Sequence, residues 1–122
     1  MAYISRTGNL AGVPTLRDGD RGVYTYARVI VADRIPREGG GYEDGPSIGY
    51  DVAVSGSQAE QLVATAESSG NIRITFSGRY TVSAYHDTQN PDAPPIINHK
   101  VQADEIGVSL RGQRVIVPRD DQ

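Results

Sequence analysis

Residues 72–85 read Ile-Arg-Ile-Thr-Phe-Ser-Gly-Arg-Tyr-Thr-Val-Ser-Ala-Tyr, a strand with a break in its middle. Ile72, Ile74 and Phe76 fall on one side, and Arg73, Thr75 and Ser77 on the other, as strand alternation requires. Gly78 interrupts the run, and residues 79–85 resume it. A glycine in a strand interior marks a place where a sheet can curl. Just before this strand, Ser57-Gln58-Ala59-Glu60 has the spacing of a capping box. Leu62, Val63 and Ala66 then form an apolar stripe at helical spacing, and Gly70 ends the segment. The pattern predicts one short helix of about three turns.

Working outward, residues 48–55 place Val52 and Val54 on one face and Asp51, Ala53 and Ser55 on the other. Residues 22–32 are rich in β-branched and aromatic side chains, which favours strand. Residues 99–106 and 113–117 are two further short strand candidates. Two stretches read as long loops: 34–47, with Gly39, Gly40, Gly41 and two prolines, and 86–98, with Pro91, Pro94 and Pro95. The order is strand, strand, loop, strand, helix, bent strand, loop, strand. Five strands with one helix between the third and fourth give an all-β fold of the OB type, a five-stranded barrel with an extra C-terminal strand. The barrel is expected over residues 1–110, and residues 111–122 form a C-terminal extension with that extra strand and a short polar end.

The 122 residues suffice for one modest core and not for two. Cysteine is absent, so disulfides and thiolate metal sites are excluded, and the composition suits a reducing compartment. No apolar run approaches the ~20 residues of a membrane helix. The start, Met1-Ala2-Tyr3-Ile4-Ser5-Arg6, lacks the apolar segment of a secretory leader. A cytoplasmic protein is expected, with no membrane partner. The net charge is −3, and all basic residues except Lys100 are arginine. Arginine forks onto phosphates and stacks on rings, so a local arginine-lined groove is compatible with an acidic chain.

Four motifs occur in an order that resembles bacterial-type single-stranded DNA-binding proteins. They are Gly8-Asn9-Leu10 with Pro14-Thr15-Leu16-Arg17; Asp51-Val52-Ala53-Val54-Ser55-Gly56 running into Ser57–Leu62; Ile74-Thr75-Phe76-Ser77-Gly78-Arg79-Tyr80; and Ala103-Asp104-Glu105-Ile106-Gly107-Val108-Ser109-Leu110-Arg111. The last looks especially like actinobacterial members. The resemblance implies an OB fold, non-sequence-specific binding and protection of single-stranded DNA in replication, recombination or repair, and a homotetramer, with a homodimer as the alternative. In the actinobacterial relatives a segment like 111–119 clasps a neighbouring subunit. The departures are as specific. There is no tryptophan, Arg37, Gly49 and Ser55 stand where the family often has aromatics, and the end, Arg119-Asp120-Asp121-Gln122, lacks an apolar recruiting tip. Recruitment of replication enzymes by that route is therefore not expected. The pattern suits an accessory paralogue, or a phage or plasmid version acting in an infected host.

The candidate DNA-binding residues are Arg28, Arg34, Arg37, Tyr42, Tyr50, Arg73, Arg79, Tyr85 and Lys100. Arg79, Thr81, Ser83 and Tyr85 share a strand face, and Tyr85 is the leading candidate for stacking on a base. Val29 and Val31 read as core, which turns Arg28 outward. Tyr50 has the parity of Val52 and Val54, so core or subunit interface competes with stacking there. Tyr42 lies in the glycine-rich loop, while Tyr24, Tyr26 and Tyr80 read as structural. Each arginine is a phosphate contact or a solvated charge, and Lys100 beside His99 is a weaker candidate. Catalysis has no support: two isolated histidines make no zinc set, and no phosphate-loop or nucleophile-elbow pattern is complete. No metal or cofactor is implied. The alternative is an OB-type protein-interaction or assembly module with little DNA affinity.

Overall fold

A computed structural model describes residues 2–118. Its elements are β1 (Ala2–Leu10), β2 (Arg17–Gly19), β3 (Gly22–Pro36), β4 (Tyr42–Ser55), α1 (Gly56–Ser69), β5 (Arg73–Tyr85) and β6 (Ile96–Val108). They form one sheet in the order β1-β5-β6-β4-β3-β2. It closes on itself where Asn9 and Leu10 of β1 pair with Ile30 and Val29 of β3. All neighbours run antiparallel except β4 and β6, which pair in parallel from Tyr50↔His99 to Ala53↔Gln102. The five long strands make the closed barrel, and α1 sits between the third and fourth of them. The strand beyond those five is the short β2, not the C-terminal segment.

The barrel fills with inward-facing residues of every long strand. Leu10, Val29, Val52, Val54, Ile74, Phe76 and Val101 are all at most 1% exposed. Helix α1 adds Ala59, Leu62, Val63 and Ala66, buried at positions i, i+3, i+4 and i+7. The helix starts differently from the capping-box expectation. Gly56, at a φ of +66°, turns β4 straight into the helix, so Ser55 precedes the first turn and its hydroxyl caps nothing. Ser57 therefore lies inside the helix. Gly70 ends it as expected, its N–H bonding the Ala66 carbonyl at 2.8 Å. Gln58 clips the helix to β6: its amide donates to the Asp104 carbonyl and accepts from the Ile106 N–H, both at 2.9 Å.

Asp104 is the residue that the β5–β6 register skips, since Ser77 pairs Glu105 and Gly78 pairs Ala103. The bend expected at Gly78 thus coincides with a bulge on the neighbouring strand. A Cβ on Gly78 would lie 2.1 Å from the Gln102 carbonyl oxygen, so the two backbones touch here.

The first long loop proves to be mostly ribbon, whereas the second keeps residues 86–95 as a loop beyond the end of the β5–β6 pairing. Strands β3 and β4 stay paired out to Pro36↔Tyr42, leaving residues 37–41 as the tip. Gly39, Gly40 and Gly41, all at positive φ, close that tip. Residues 45 and 46 fall where the register slips between Ala32↔Ser47 and Arg34↔Asp44, which accommodates a proline without an N–H. Strands β5 and β6 stay paired to Tyr85↔Ile96.

The extra strand expected over 111–119 finds no partner within the chain: residues 109–118 have no strand pairing, and Arg119–Gln122 lie outside the described residues. A side chain takes the place of a strand partner. Gln113 accepts from the Arg73 N–H at 3.2 Å and donates to the Arg73 carbonyl at 3.0 Å, the two bonds a paired residue would make. No helix among the described residues is long and apolar enough to cross a membrane.

Candidate nucleic-acid interface

Strand alternation turns Tyr26 and Arg28 of β3, Asp51 and Ala53 of β4, Lys100 and Gln102 of β6, and Arg79 and Thr81 of β5 to the outer face. The parallel β4–β6 contact sets Asp51 opposite Lys100 and Ala53 opposite Gln102. On the other side of β6, Thr81 pairs Lys100 and Arg79 pairs Gln102. All of these except Arg28, which lies beside it, line a concave groove of about 670 Å³. Two cations, Arg79 and Lys100, line the groove with one carboxylate, Asp51, and Arg28 stands beside it on the same face.

Tyr26 is 58% exposed beside this groove. Its ring meets Tyr24 edge-to-face, with centroids 5.7 Å apart, which steadies a surface aromatic. From the sequence alone Tyr26 reads as structural. The signal was present, because the parity that turns Arg28 outward turns Tyr26 outward too. Tyr85 lies on the same face of β5, six residues beyond Arg79, and is 50% exposed.

Arg28 is shaped by its neighbours. Its guanidinium reaches the Asp51 carboxylate at 3.0 Å. It lies across Gly49, where a Cβ would come within 2.4 Å of Nη2. The glycine at 49 therefore makes the shelf on which Arg28 rests. The ion pair is half exposed, so it contributes little stability and holds Arg28 away from other anions. Replacing Asp51 with Asn removes the single carboxylate of the groove and frees Arg28. Affinity for oligo-dT is expected to rise about fivefold, from ~1 kcal/mol of relieved repulsion. A binding titration that shows weaker or unchanged affinity contradicts this role for Asp51.

Other candidates lie elsewhere. Tyr50 is not a stacking residue: it is 3% exposed, with ring centroids 5.5 Å from Phe76, 5.9 Å from Tyr80 and 5.6 Å from His99. Arg6 donates to its hydroxyl at 3.3 Å. Tyr80, beside it, shares a 2.6 Å hydrogen bond with His99 Nδ1. Loss of water raises the Tyr80 pKa above 10.0, the nearby Tyr50 adds to this, and Arg6 opposes it. Arg37 and the 64% exposed Tyr42 flank a hollow at the β3–β4 tip that Arg34, Glu43 and Asp44 share. Arg73 is turned away from the core as expected, yet it and Arg34 line a separate groove on the β1 side. Among the described residues no three histidine, cysteine, aspartate or glutamate side chains gather as a metal site.

An antiparallel barrel with one parallel closure, and a helix between its third and fourth long strands, defines an OB-type barrel whose outer face carries an exposed tyrosine among cations. No protein-family model matches the chain, and no curated protein matches it by sequence. Among solved structures, the crystal structure of a small single-stranded DNA-binding protein from Streptomyces coelicolor matches with a TM-score of 0.74. The match covers 89% of this chain and 94% of that chain at 20% sequence identity. The two chains thus share the OB fold, in keeping with the actinobacterial resemblance.

Proposed function

We propose that the chain binds single-stranded DNA, without sequence preference and without chemistry, along the outer face of β3, β4, β6 and β5. The observation that carries this reading is Tyr26, an exposed ring beside a concave groove with Arg28, Arg79 and Lys100 around it. Bases of any identity stack on such a ring, while cations hold the phosphates. Tyr85 extends the same face, and the two ribbons flank it. The process served is DNA replication, recombination or repair, in a bacterial cell or a phage-infected host. Assembly as a homotetramer, with a homodimer as the alternative, is supported by Leu110, Ile116 and Val117, which are 73%, 82% and 69% exposed.

The test is fluorescence anisotropy of a labelled poly-dT of about 35 nucleotides, a length that spans several barrels. Expected is sub-micromolar binding that duplex DNA does not match. Its log K should fall with log salt at a slope near −0.7 for each phosphate neutralised. No binding at tens of micromolar in low salt overturns the reading and leaves a protein-interaction barrel.

A further inference from the structure

Beyond the outer-face groove, β1 leaves β3 after their two pairings at residues 9 and 10. The gap between them opens into a second groove of about 690 Å³. Arg6, Arg34, Arg73 and Arg111 all line it, against Asp33 and Asp44. Arg6 is tied to Asp33 at 2.6 Å. Among the described residues no carboxylate lies within 4.0 Å of the other three guanidiniums.

Two of these arginines are held together. The Ser109 N–H bonds the Arg73 carbonyl at 2.9 Å, and Gln113 bonds Arg73 on both its backbone groups. The Arg111 N–H in turn bonds the Ser109 hydroxyl at 3.2 Å. The chain after β6 therefore folds back and delivers Arg111 next to Arg73. Arg73 Nε is buried without any hydrogen-bond partner, a donor left to be satisfied.

The two grooves are joined by one row of side chains. Tyr26 lines the first, Arg28 follows on the same face, and Ile30, Ala32 and Arg34 line the second. At ~3.3 Å per residue, the row from Tyr26 to Arg34 is roughly 26 Å long. A strand lying along β3 is thus led from a stacking surface to a cluster of guanidiniums with no exposed ring among them.

We propose that this second groove binds the phosphates of the same single-stranded nucleic acid, so that the barrel holds a stacked segment on its outer face and a backbone-only segment beside β1. The proposal rests on the outer-face reading and adds to it a second contact with its own residues. Arg73 and Arg111 fork onto phosphate oxygens through the Nη groups of their guanidiniums.

The test compares labelled oligo-dT of about 8 nucleotides, which fits one groove, with one of about 16, within the range of a single OB barrel. The proteins are wild type, Arg111→Ala, and Arg73→Gln with Arg111→Ala. Arg111 is exposed on a turn, so its single variant keeps the fold, and thermal melting monitors the double one. Wild type is expected to bind the longer strand more tightly. The double variant should weaken the longer strand about tenfold and flatten its salt slope by about 1.4, two phosphates' worth, while leaving the shorter within about twofold. The single variant should show about half of that slope change. Equal losses on both lengths, or no loss on either, overturn the second groove. If wild type binds the short strand and these variants bind the long one as wild type does, the second groove alone fails. If wild type binds neither, the outer-face reading fails and this one with it.

Discussion

Tyr26→Ala combined with Arg79→Ala is expected to weaken binding to oligo-dT about 150-fold. A base stacked on an aromatic ring contributes ~1–3 kcal/mol by alanine substitution, and ~2 is a fair central value here. An arginine on a phosphate in a half-open groove adds about 1 kcal/mol. The two side chains stand on different strands, β3 and β5, with β4 and β6 between them. Their effects should then be close to additive, and ~3 kcal/mol corresponds to roughly 150-fold. Both point to solvent, so thermal stability should be nearly unchanged. Tyr26→Phe keeps the ring and should keep most of the affinity. A double variant that binds within threefold of wild type places the DNA off this face.

Gly78→Ala is expected to be the most damaging single methyl in the barrel. Gly78 is not at positive φ, so alanine has no backbone penalty there. The whole effect is contact. The added Cβ meets the Gln102 carbonyl oxygen at 2.1 Å, its carbon at 2.7 Å and the Ala103 Cα at 2.8 Å. All three are backbone atoms of β6, and no rotamer change relieves them. Overpacking usually costs about 1–3 kcal/mol, and rigid backbone on the far side places this case at ~3 or above. For a domain of this size that is a fall of roughly 10 °C or more in Tm. Gln102 also lines the outer-face groove, so DNA affinity should fall with stability. A melting curve within 2 °C of wild type refutes a close approach at this site.

Tyr80 adds a pH dependence. Its raised pKa means the neutral phenol is the form the folded chain stabilises. That stability is fully present below the ordinary tyrosine value and is lost as pH rises through the shifted one. Unfolding followed by denaturant at pH 8 and at pH 11 should show the loss at the higher pH. Tyr80→Phe should reduce the difference.

What the sequence determined by itself is everything that depends on near neighbours in the chain. Alternation separated Ile72, Ile74 and Phe76 from Arg73, Thr75 and Ser77, and a lone glycine marked the bend. The stripe of Leu62, Val63 and Ala66 located the helix, and Gly70 its end. The outward row of Arg79, Thr81, Ser83 and Tyr85 followed from the same rule. Parity states that a side chain leaves the core, not what it then meets. Closure of the barrel decided that.

Only when β4 and β6 pair in parallel does Lys100 come opposite Asp51, and only then do Tyr26 and Arg79 border one groove. Tyr50 went inward because Phe76, Tyr80 and His99, all distant in sequence, left a space that a ring fills. The glycine- and proline-rich stretches read as loops because their residues favour turns; ladder bonds from the facing strand held most of 34–47 as ribbon, while 86–95 stayed a loop. The segment 111–119 read as strand from its valines and isoleucine, yet residues 111–118 pair with no strand of this chain, and the side chain of Gln113 takes the backbone bonds of Arg73 instead. Local preference is a matter of tenths of a kcal/mol per residue, and long-range pairing overrides it wherever a buried edge or a free donor requires a partner.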